Sequence, residues 1–131
     1  MVTDPIADML IQLKNAAMAG KPTVAIPHSQ LKMSIAKLLR REGYLLDVAK
    51  RGKKVGKVIV MTLATSPTGN RKLIQVKRVS KPSKRIYQGF EAIKQVKQGQ
   101  GLSIISTPRG LLTDREAKRE KVGGEVLFSI W

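Results

Sequence analysis

Two glycine-containing segments invite comparison with phosphate-binding loops, and neither has the spacing that such loops need. Gly52 and Gly56 enclose three residues where a phosphate loop has four, and Val58 stands in place of the Ser or Thr that binds magnesium. A second pair, Gly99 and Gly101, precedes an apolar run, whereas dinucleotide-binding glycines follow a strand. The glycines therefore do not predict nucleotide chemistry.

The side chains that usually perform catalysis or bind metal ions are few. His28 is the only histidine, and its place between Pro27 and a predicted helix cap is typical of a surface loop. The chain has no cysteine, which excludes disulfides, thiolate nucleophiles and cysteine-ligated zinc. Asp4 and Asp8 lie at the start of a predicted helix, where acids cap the helix and complement its dipole. We therefore predict a protein that is not an enzyme and that uses no cofactor, metal or small-molecule substrate.

The strongest feature of the composition is its positive charge. The 131 residues include 25 Lys and Arg but only 9 Asp and Glu, which gives a net charge of +16. No acid lies between Asp47 and Glu91. That stretch contains the basic residues Lys50, Arg51, Lys53, Lys54, Lys57, Arg71, Lys72, Lys77, Arg78, Lys81, Lys84 and Arg85. Such a chain repels itself unless a polyanion neutralises it, so the composition predicts a nucleic-acid partner.

Membrane and sequence-specific DNA binding are weaker interpretations of the same charge. Membrane-surface binding needs a basic amphipathic helix, and here most of the charge lies in predicted strands and turns. No apolar run is long enough to cross a bilayer, and no helix-turn-helix, zinc finger or basic zipper is evident. Hydroxyls and glycines beside basic residues can approach the shallow minor groove of A-form RNA closely, so RNA is the predicted partner.

Alternating helical and strand patterns organise roughly the first 65 residues. Asp4 and Pro5 open a helix that Gly20 ends, and Ser29 caps a second helix that Gly43 ends. The second helix has an apolar face of Leu31, Ile35, Leu38 and Leu39. Strands are predicted at residues 23–26, 44–49 and 57–63, the last two as a hairpin.

The residue pattern of the second half of the chain predicts mainly strands. They cover residues 73–79, 85–87, 102–106 and 125–131, and residues 93–101 are irregular or form a short helix. Thr113 and Glu116 form a capping box that opens a short helix, which Gly123 and Gly124 end. We predict an α+β protein with two small α/β lobes packed together, mixed short sheets and about three helices. The lobes are 1–70 and 71–131, joined at the turn-forming residues 66–70.

The segment Ser106–Gly110 is the best candidate for close RNA approach. It joins two hydroxyls to Pro108, Arg109 and a glycine at the end of a predicted strand. The same residues also fit a tight turn between a strand and a helix, so both interpretations stay open.

Ordered blocks of sequence resemble one family over nearly the whole chain. The blocks are Thr3–Leu10 with Lys14–Ala16, Ile26–Pro27 with Ser29–Lys32, Arg41–Tyr44, Lys77–Pro82, Arg85–Tyr87, Ser106–Ala117 and Gly123–Leu127. Together they resemble the bacterial small-subunit ribosomal protein eight family. Residues 48–72 carry no such signature.

The resemblance implies a structural constituent of the small ribosomal subunit. Such a protein binds the central domain of small-subunit ribosomal RNA early in assembly, contacts neighbouring ribosomal proteins and lies in cytoplasmic, or alternatively organellar, ribosomes. In some bacteria the family also represses its own messenger RNA. A free RNA-binding regulator outside the ribosome is the alternative.

The resemblance also assigns the RNA contacts, most of them to the C-terminal lobe. They are Ser106, Thr107, Arg109 and Gly110, flanked by Ser80, Lys81, Arg85, Tyr87 and Glu125, with Lys14, Asn15 and Lys32 as secondary contacts on the N-terminal lobe. Tyr87 can stack on a base or pack in the core. Glu125 can accept a hydrogen bond from a base or orient the Ser-Thr loop.

Three positions depart from the family pattern. Pro108 replaces the usual serine and so removes one hydroxyl and one backbone donor. Ser83 replaces the usual glycine of its turn, and Phe128 stands where a cysteine is common.

Overall fold

The structure of the protein is a computed structural model that describes residues 4–52, 56–64 and 75–131. Within it the chain forms two compact units. We call Ile6–Ile74 the N-terminal unit, and Met1–Pro5 with Gln75–Trp131 the C-terminal unit. The linker predicted at 66–70 and the start of the strand predicted at 73–79 lie outside the described residues.

The N-terminal unit combines two helices with a three-stranded antiparallel sheet. Its elements are α1 (Pro5–Ala19), β1 (Thr23–Pro27), α2 (Gln30–Arg41), β2 (Leu45–Arg51) and β3 (Val58–Leu63). The strand order is β1-β3-β2. The predicted cap of α2 is confirmed, because the Ser29 hydroxyl accepts a hydrogen bond of 3.2 Å from the Lys32 backbone.

Helical periodicity explains which side chains of this unit are buried. The apolar face of α1 is buried as a continuous stripe of Ile6, Met9, Leu10, Leu13, Ala16 and Ala17. In α2, Ile35, Leu38 and Leu39 are buried as predicted, but Leu31, on the same face, is 45% exposed. Leu31 lies in the first turn of α2, one turn before the buried part of the face.

The C-terminal unit is built on a sheet of five strands, one of which pairs with three others. Its elements are β4 (Val76–Arg78), β5 (Tyr87–Gln88), β6 (Leu102–Thr107), β7 (Gly110–Thr113), α3 (Asp114–Glu120) and β8 (Gly124–Ile130). The order is β4-β8-β6-β7, and β5 also pairs with β8. All of these pairs are antiparallel. The α+β class with three helices and two small sheets is therefore confirmed.

Strand β7 is the main departure from the predicted elements. The turn predicted at Ser106–Gly110 is present, but it joins two strands and not a strand to a helix. Strands β6 and β7 form a hairpin in which Ser106 pairs with Leu111 and Thr107 with Gly110. Gly110 has a φ of 104°, a conformation that favours glycine.

Helix α3 begins as predicted and ends earlier. The Thr113 hydroxyl accepts from the Glu116 backbone at 3.2 Å, and the Glu116 carboxylate accepts from the Thr113 backbone at 3.1 Å, which confirms the capping box. Lys121, in the left-handed conformation with φ 57°, caps the C-terminus of α3, so Gly123 and Gly124 do not end it.

One face of the C-terminal sheet packs into an apolar core. Ile105, Leu112 and Val126 lie on that face and pack with Ala117 of α3 and with Ile93. Because successive strand residues alternate between faces, their neighbours Ser106, Leu111 and Glu125 belong to the opposite face. The core therefore fixes the orientation of a second, more polar surface.

Candidate nucleic-acid interface

Four side chains form one row across four strands of the C-terminal unit. Tyr87 of β5 pairs with Glu125 of β8, Glu125 pairs with Ser106 of β6, and Ser106 pairs with Leu111 of β7. Directly opposed residues project from the same face, and neighbouring strands lie about 4.8 Å apart. Tyr87 and Ser106 thus flank Glu125 at a spacing of about 10 Å. We call Tyr87, Ser106 and Glu125, with the turns 80–85 and 107–110, the Ser106 face.

Tyr87 supplies the aromatic ring of this row. It is 69% exposed, so the interpretation that it packs in the core is wrong. Residue Tyr87 belongs to the short strand β5, whose backbone pairing to β8 fixes the position of the side chain while its ring faces solvent. An exposed ring held this way is suited to stacking on a base or a ribose.

Glu125 organises the middle of the face. Its carboxylate accepts a hydrogen bond from the Ser80 hydroxyl and one of 3.0 Å from the Arg85 guanidinium. The Ser80 hydroxyl in turn accepts one of 3.1 Å from the Ile86 backbone. Ser80 is fully buried. Glu125 therefore holds Arg85 and the buried Ser80 in fixed positions, and no hydrogen bond links it to the Thr107 turn among the described residues.

Competing effects act on the ionisation of Glu125. Burial would raise its pKa, but hydrogen bonds from Ser80 and Arg85 and the charges of Arg85 and Arg78 outweigh burial and lower the pKa below its ordinary value. Glu125 is therefore a carboxylate at neutral pH. It partly neutralises the cations around it, so this acid does not simply repel RNA.

The tip of the β6–β7 hairpin is closed by the Thr107 side chain. Its hydroxyl donates to the Gly110 carbonyl at 2.8 Å and accepts from the Arg109 backbone at 3.1 Å. Pro108 and Arg109 are exposed at the tip. For the part of the chain that the structure covers, the half-buried Ser106 hydroxyl has no hydrogen bond to another residue. The two hydroxyls thus differ, since Thr107 shapes the turn and Ser106 remains available.

Gly124 permits the strands of this face to approach one another. A Cβ atom at residue 124 would lie 2.0 Å from the Ser106 carbonyl oxygen, and one at Gly123 would lie 2.3 Å from the Gln88 carbonyl oxygen. No other residue type fits without moving backbone. The sequence pattern assigned both glycines to a helix end and missed this role.

The basic residues beside Ser80 lie on a short turn. Lys81 and Lys84 exchange backbone hydrogen bonds of 2.9 and 3.0 Å, and their side chains and that of Arg85 are exposed. Ser83 lies in this turn with no positive φ. The serine in place of the usual glycine is thus compatible with the backbone, and three cations border the row.

Arg78 has a structural role that its charge alone did not indicate. It was one of the basic residues predicted to neutralise phosphates, but its side chain is only 10% exposed. Its guanidinium contacts the Asp4 carboxylate at 3.1 Å and donates to the Leu127 carbonyl. The phosphate role of Arg78 is therefore wrong. Asp4 lies just before α1, as predicted, and it also binds this guanidinium.

The secondary contacts predicted on the first lobe belong to the N-terminal unit. Asn15 is exposed on α1, and Lys14 and Lys32 are half-buried on α1 and α2. None of the three belongs to the Ser106 face. They stay separate predictions for the other unit.

Metal-holding groups of acids and histidine, and helices able to span a membrane, are both absent from the described residues. Across 4–52, 56–64 and 75–131, no three or more Asp, Glu or His side chains are grouped so as to hold a metal ion. No helix within those ranges is both long and apolar enough to span a membrane.

Comparison with known proteins gives one consistent result. The family model described as Ribosomal protein S8 matches residues 4–131. Three similar proteins, each named small ribosomal subunit protein uS8, come from Rubrobacter xylanophilus, Nocardia farcinica and Rhodococcus opacus, with identities of 45%, 47% and 46%. Each alignment covers 99% of this chain and 98% of the relative.

Proposed function

The chain belongs to the ribosomal protein S8 family, and from that premise we propose that it binds the central domain of small-subunit ribosomal RNA directly through the Ser106 face. Its role is that of a structural ribosomal component and not of an enzyme. It lies on the small ribosomal subunit beside other ribosomal proteins. Its relatives named above are bacterial, which favours a bacterial cytoplasmic ribosome over an organellar one.

The row Tyr87–Glu125–Ser106 is the observation that carries this proposal. It places an exposed ring, a carboxylate and a free hydroxyl at fixed spacings on one sheet face. Small polar groups on a rigid surface can reach the 2′-hydroxyls and base edges of an RNA minor groove. Lys81, Arg109 and Gly110 border the row, where the cations are positioned to contact phosphates and the glycine permits close backbone approach.

Two residues of the predicted contact set act through others in this proposal. Ser80 is fully buried and its hydroxyl is already used within the protein, so it positions Glu125. Thr107 holds the hairpin tip and thereby positions Ser106 and Arg109. Ser106, Arg85 and Tyr87 then touch RNA directly, together with the bordering cations Lys81 and Arg109.

Arg85 can bind an RNA phosphate while it stays bound to Glu125. In the free protein its guanidinium is bound to Glu125 at 3.0 Å and is still half exposed. An RNA phosphate can share the same guanidinium, since its donors form a fork with several N–H groups. The carboxylate then limits how Arg85 can turn, which restricts its phosphate contact to one geometry.

Single substitutions test the proposal. Ser106→Ala should weaken binding to the cognate ribosomal RNA fragment by about 0.5–1.5 kcal/mol, a typical net hydrogen bond, while the melting temperature stays unchanged. Thr23→Val is the control, because Thr23 carries an exposed hydroxyl on β1 of the N-terminal unit, outside the Ser106 face. Binding curves on cognate and random RNA decide the matter. Equal cognate affinity for Ser106→Ala and the parent would remove this face from the interface.

Sedimentation of a lysate tests the cellular role separately. A ribosomal component travels with small subunits, whereas a free RNA-binding regulator stays near the top of the gradient. Repression of its own messenger would use the same face, on an RNA segment that imitates the ribosomal site. Ser106→Ala should then weaken binding to the ribosomal RNA and to the messenger RNA by the same factor.

A further inference from the structure

A basic cavity lies in the N-terminal unit, outside the Ser106 face. Its volume is about 520 Å³, and its walls come from the loop before α2, from α2 and from β2. His28, Lys37 and Lys50 contribute basic groups, Ser34 contributes a hydroxyl, and Met33 and Val48 contribute apolar surface. A cavity of this size falls within the range of small-molecule and cofactor sites.

The cations of this cavity lack acidic partners. Within the described ranges, neither Lys37 nor Lys50 has a carboxylate within ion-pair distance, and no acid lines the cavity. Lys32 of α2 and Lys57, the residue before β3, add charge near His28. The positive potential of the site is thus uncompensated within the described part of the chain, so an anion would be attracted to it.

The ionisation of His28 reports the same potential. Burial and the charges of Lys50, Lys57 and Lys32 lower the pKa of its imidazole, so His28 is uncharged at neutral pH. An anion in the cavity would offset the lysine charges and raise that pKa again. Binding of the anion should therefore strengthen as pH falls through the pKa of His28.

We propose that this cavity receives one nucleotide of a single-stranded RNA segment, with its phosphate on Lys37 and Lys50 and its base against Met33 and Val48. The apolar wall beside the cations favours a nucleotide over an acidic peptide, because a flat base can cover Met33 and Val48 while a carboxylate side chain leaves them in water. The Ser34 hydroxyl can donate to the ribose or the base. Contacts of this kind tolerate many sequences, since every base has an apolar face.

This inference rests on the proposed function only in its choice of RNA as the partner. The Ser106 face would read a folded helix, whereas the cavity would hold an unpaired nucleotide. The two sites lie on different units and can fail separately.

The single histidine makes the test direct, because its imidazole signals in an NMR spectrum belong to His28 alone. The intact protein is titrated with a short single-stranded uridine oligonucleotide. The His28 signals should shift and saturate, and the pKa read from them should rise on binding. The double variant Lys37→Ala with Lys50→Ala should bind the oligonucleotide at least about tenfold more weakly. It should reduce the slope of log affinity against log salt by about 0.7, the value for one phosphate of a single strand.

A control pair removes the same charge elsewhere. Lys21→Ala with Arg40→Ala deletes two exposed cations of the N-terminal unit that do not line the cavity. Equal weakening by this pair would show general attraction and overturn the proposal. A polyglutamate peptide that shifts His28 at equal or lower concentration than the oligonucleotide would also overturn it, in favour of an acidic protein partner.

Failure of the two proposals is distinguishable. Ser106→Ala should leave the His28 response to the oligonucleotide unchanged, while the Lys37 and Lys50 pair should keep its preference for the folded ribosomal fragment over random RNA. A His28 signal that the oligonucleotide never shifts refutes the cavity proposal whatever happens at the Ser106 face.

Discussion

The arginines around the C-terminal sheet and the lysines of the N-terminal cavity differ in their partners. In the C-terminal unit, Arg78, Arg85 and Arg109 are each bound to an acid, at 3.1, 3.0 and 3.4 Å. In the cavity of the N-terminal unit, Lys37 and Lys50 have no acid near them among the described residues. A guanidinium bound to a carboxylate is held in one position, whereas an ammonium group without an acidic partner mainly attracts anions. We therefore propose that the net charge of +16 serves two different modes of RNA binding.

The difference has a consequence for salt dependence. Binding by unpaired lysines releases counterions for each phosphate they contact, so it weakens steeply as salt rises. Hydrogen bonds from a positioned hydroxyl and stacking on Tyr87 depend less on salt. We expect specificity to reside in the Ser106 face and a larger share of the salt dependence in the N-terminal unit.

The largest loss of stability is expected where a substitution forces the backbone of the Ser106 face to move. Gly124→Ala would bring a Cβ atom to 2.0 Å from the Ser106 carbonyl oxygen, so β6 and β8 must separate. Overpacking costs about 1–3 kcal/mol and more where backbone must move, and we expect at least 3 kcal/mol here. Urea denaturation measures it. Gly89→Ala is the control, since a Cβ at residue 89 meets nothing within 4 Å. Equal stability of the two variants would mean that the close approach is not required.

A second substitution asks whether paired arginines are structural. Arg78→Ala leaves the Asp4 carboxylate and the Leu127 carbonyl without this guanidinium, and should lower the free energy of unfolding by about 2 kcal/mol. Lys77→Ala removes an exposed cation from the same strand and should change stability by less than about 0.5 kcal/mol. Thermal melts of both variants measure the two losses. A larger loss of stability for Lys77→Ala than for Arg78→Ala would show that the pairing of Arg78 is not structural.

The carboxylate of Glu125 gives the C-terminal unit a pH dependence. Its folded-state pKa is lowered, so its stabilising effect is present above the ordinary value of 4.5 and is lost as pH falls through the folded pKa. Glu125→Gln should cost about 1.5 kcal/mol at neutral pH, the value of a hydrogen bond to a charged group. The variant and the parent should converge in strong acid. A constant difference from neutral to acidic pH would rule out this ionisation as the cause.

The smallest expected effect separates the two neighbouring hydroxyls. Thr107→Ala removes the hydrogen bonds to Gly110 and Arg109 and should cost about 1 kcal/mol of stability. Ser106→Ala should cost almost none. Chemical denaturation of the two variants in parallel tests this, and a reversed order of stability would show that Ser106 shapes the turn.

The periodic parts of the fold were predictable from the sequence. The buried stripe of α1 and the Thr113–Glu116 capping box follow from local spacing, and both are confirmed. Strand β7 was missed because only four residues, Gly110–Thr113, separate the hairpin tip from α3, which is too short for a strand pattern. Its pairing with β6 depends on a contact that local spacing does not encode.

The candidate site was predictable as a set of residues and not as an arrangement. Family resemblance supplied Tyr87, Ser106 and Glu125, but only the register across three strands places them in one row. Composition could not separate Arg78, whose side chain is only 10% exposed, from the exposed Lys77, since both are basic residues of one strand. Their difference depends on Asp4, which lies 74 residues away in the sequence.

The central position of β8 sets an order of events during synthesis. This strand pairs with β4, β5 and β6, and it is the last of the unit's strands in chain order. The C-terminal sheet can therefore assemble only after residue 130 has left the translating ribosome, whereas the residues of the N-terminal unit are contiguous and emerge earlier. The basic cavity would then form on the growing chain before the Ser106 face exists, so on the two proposals above nonspecific attraction of RNA would precede specific recognition.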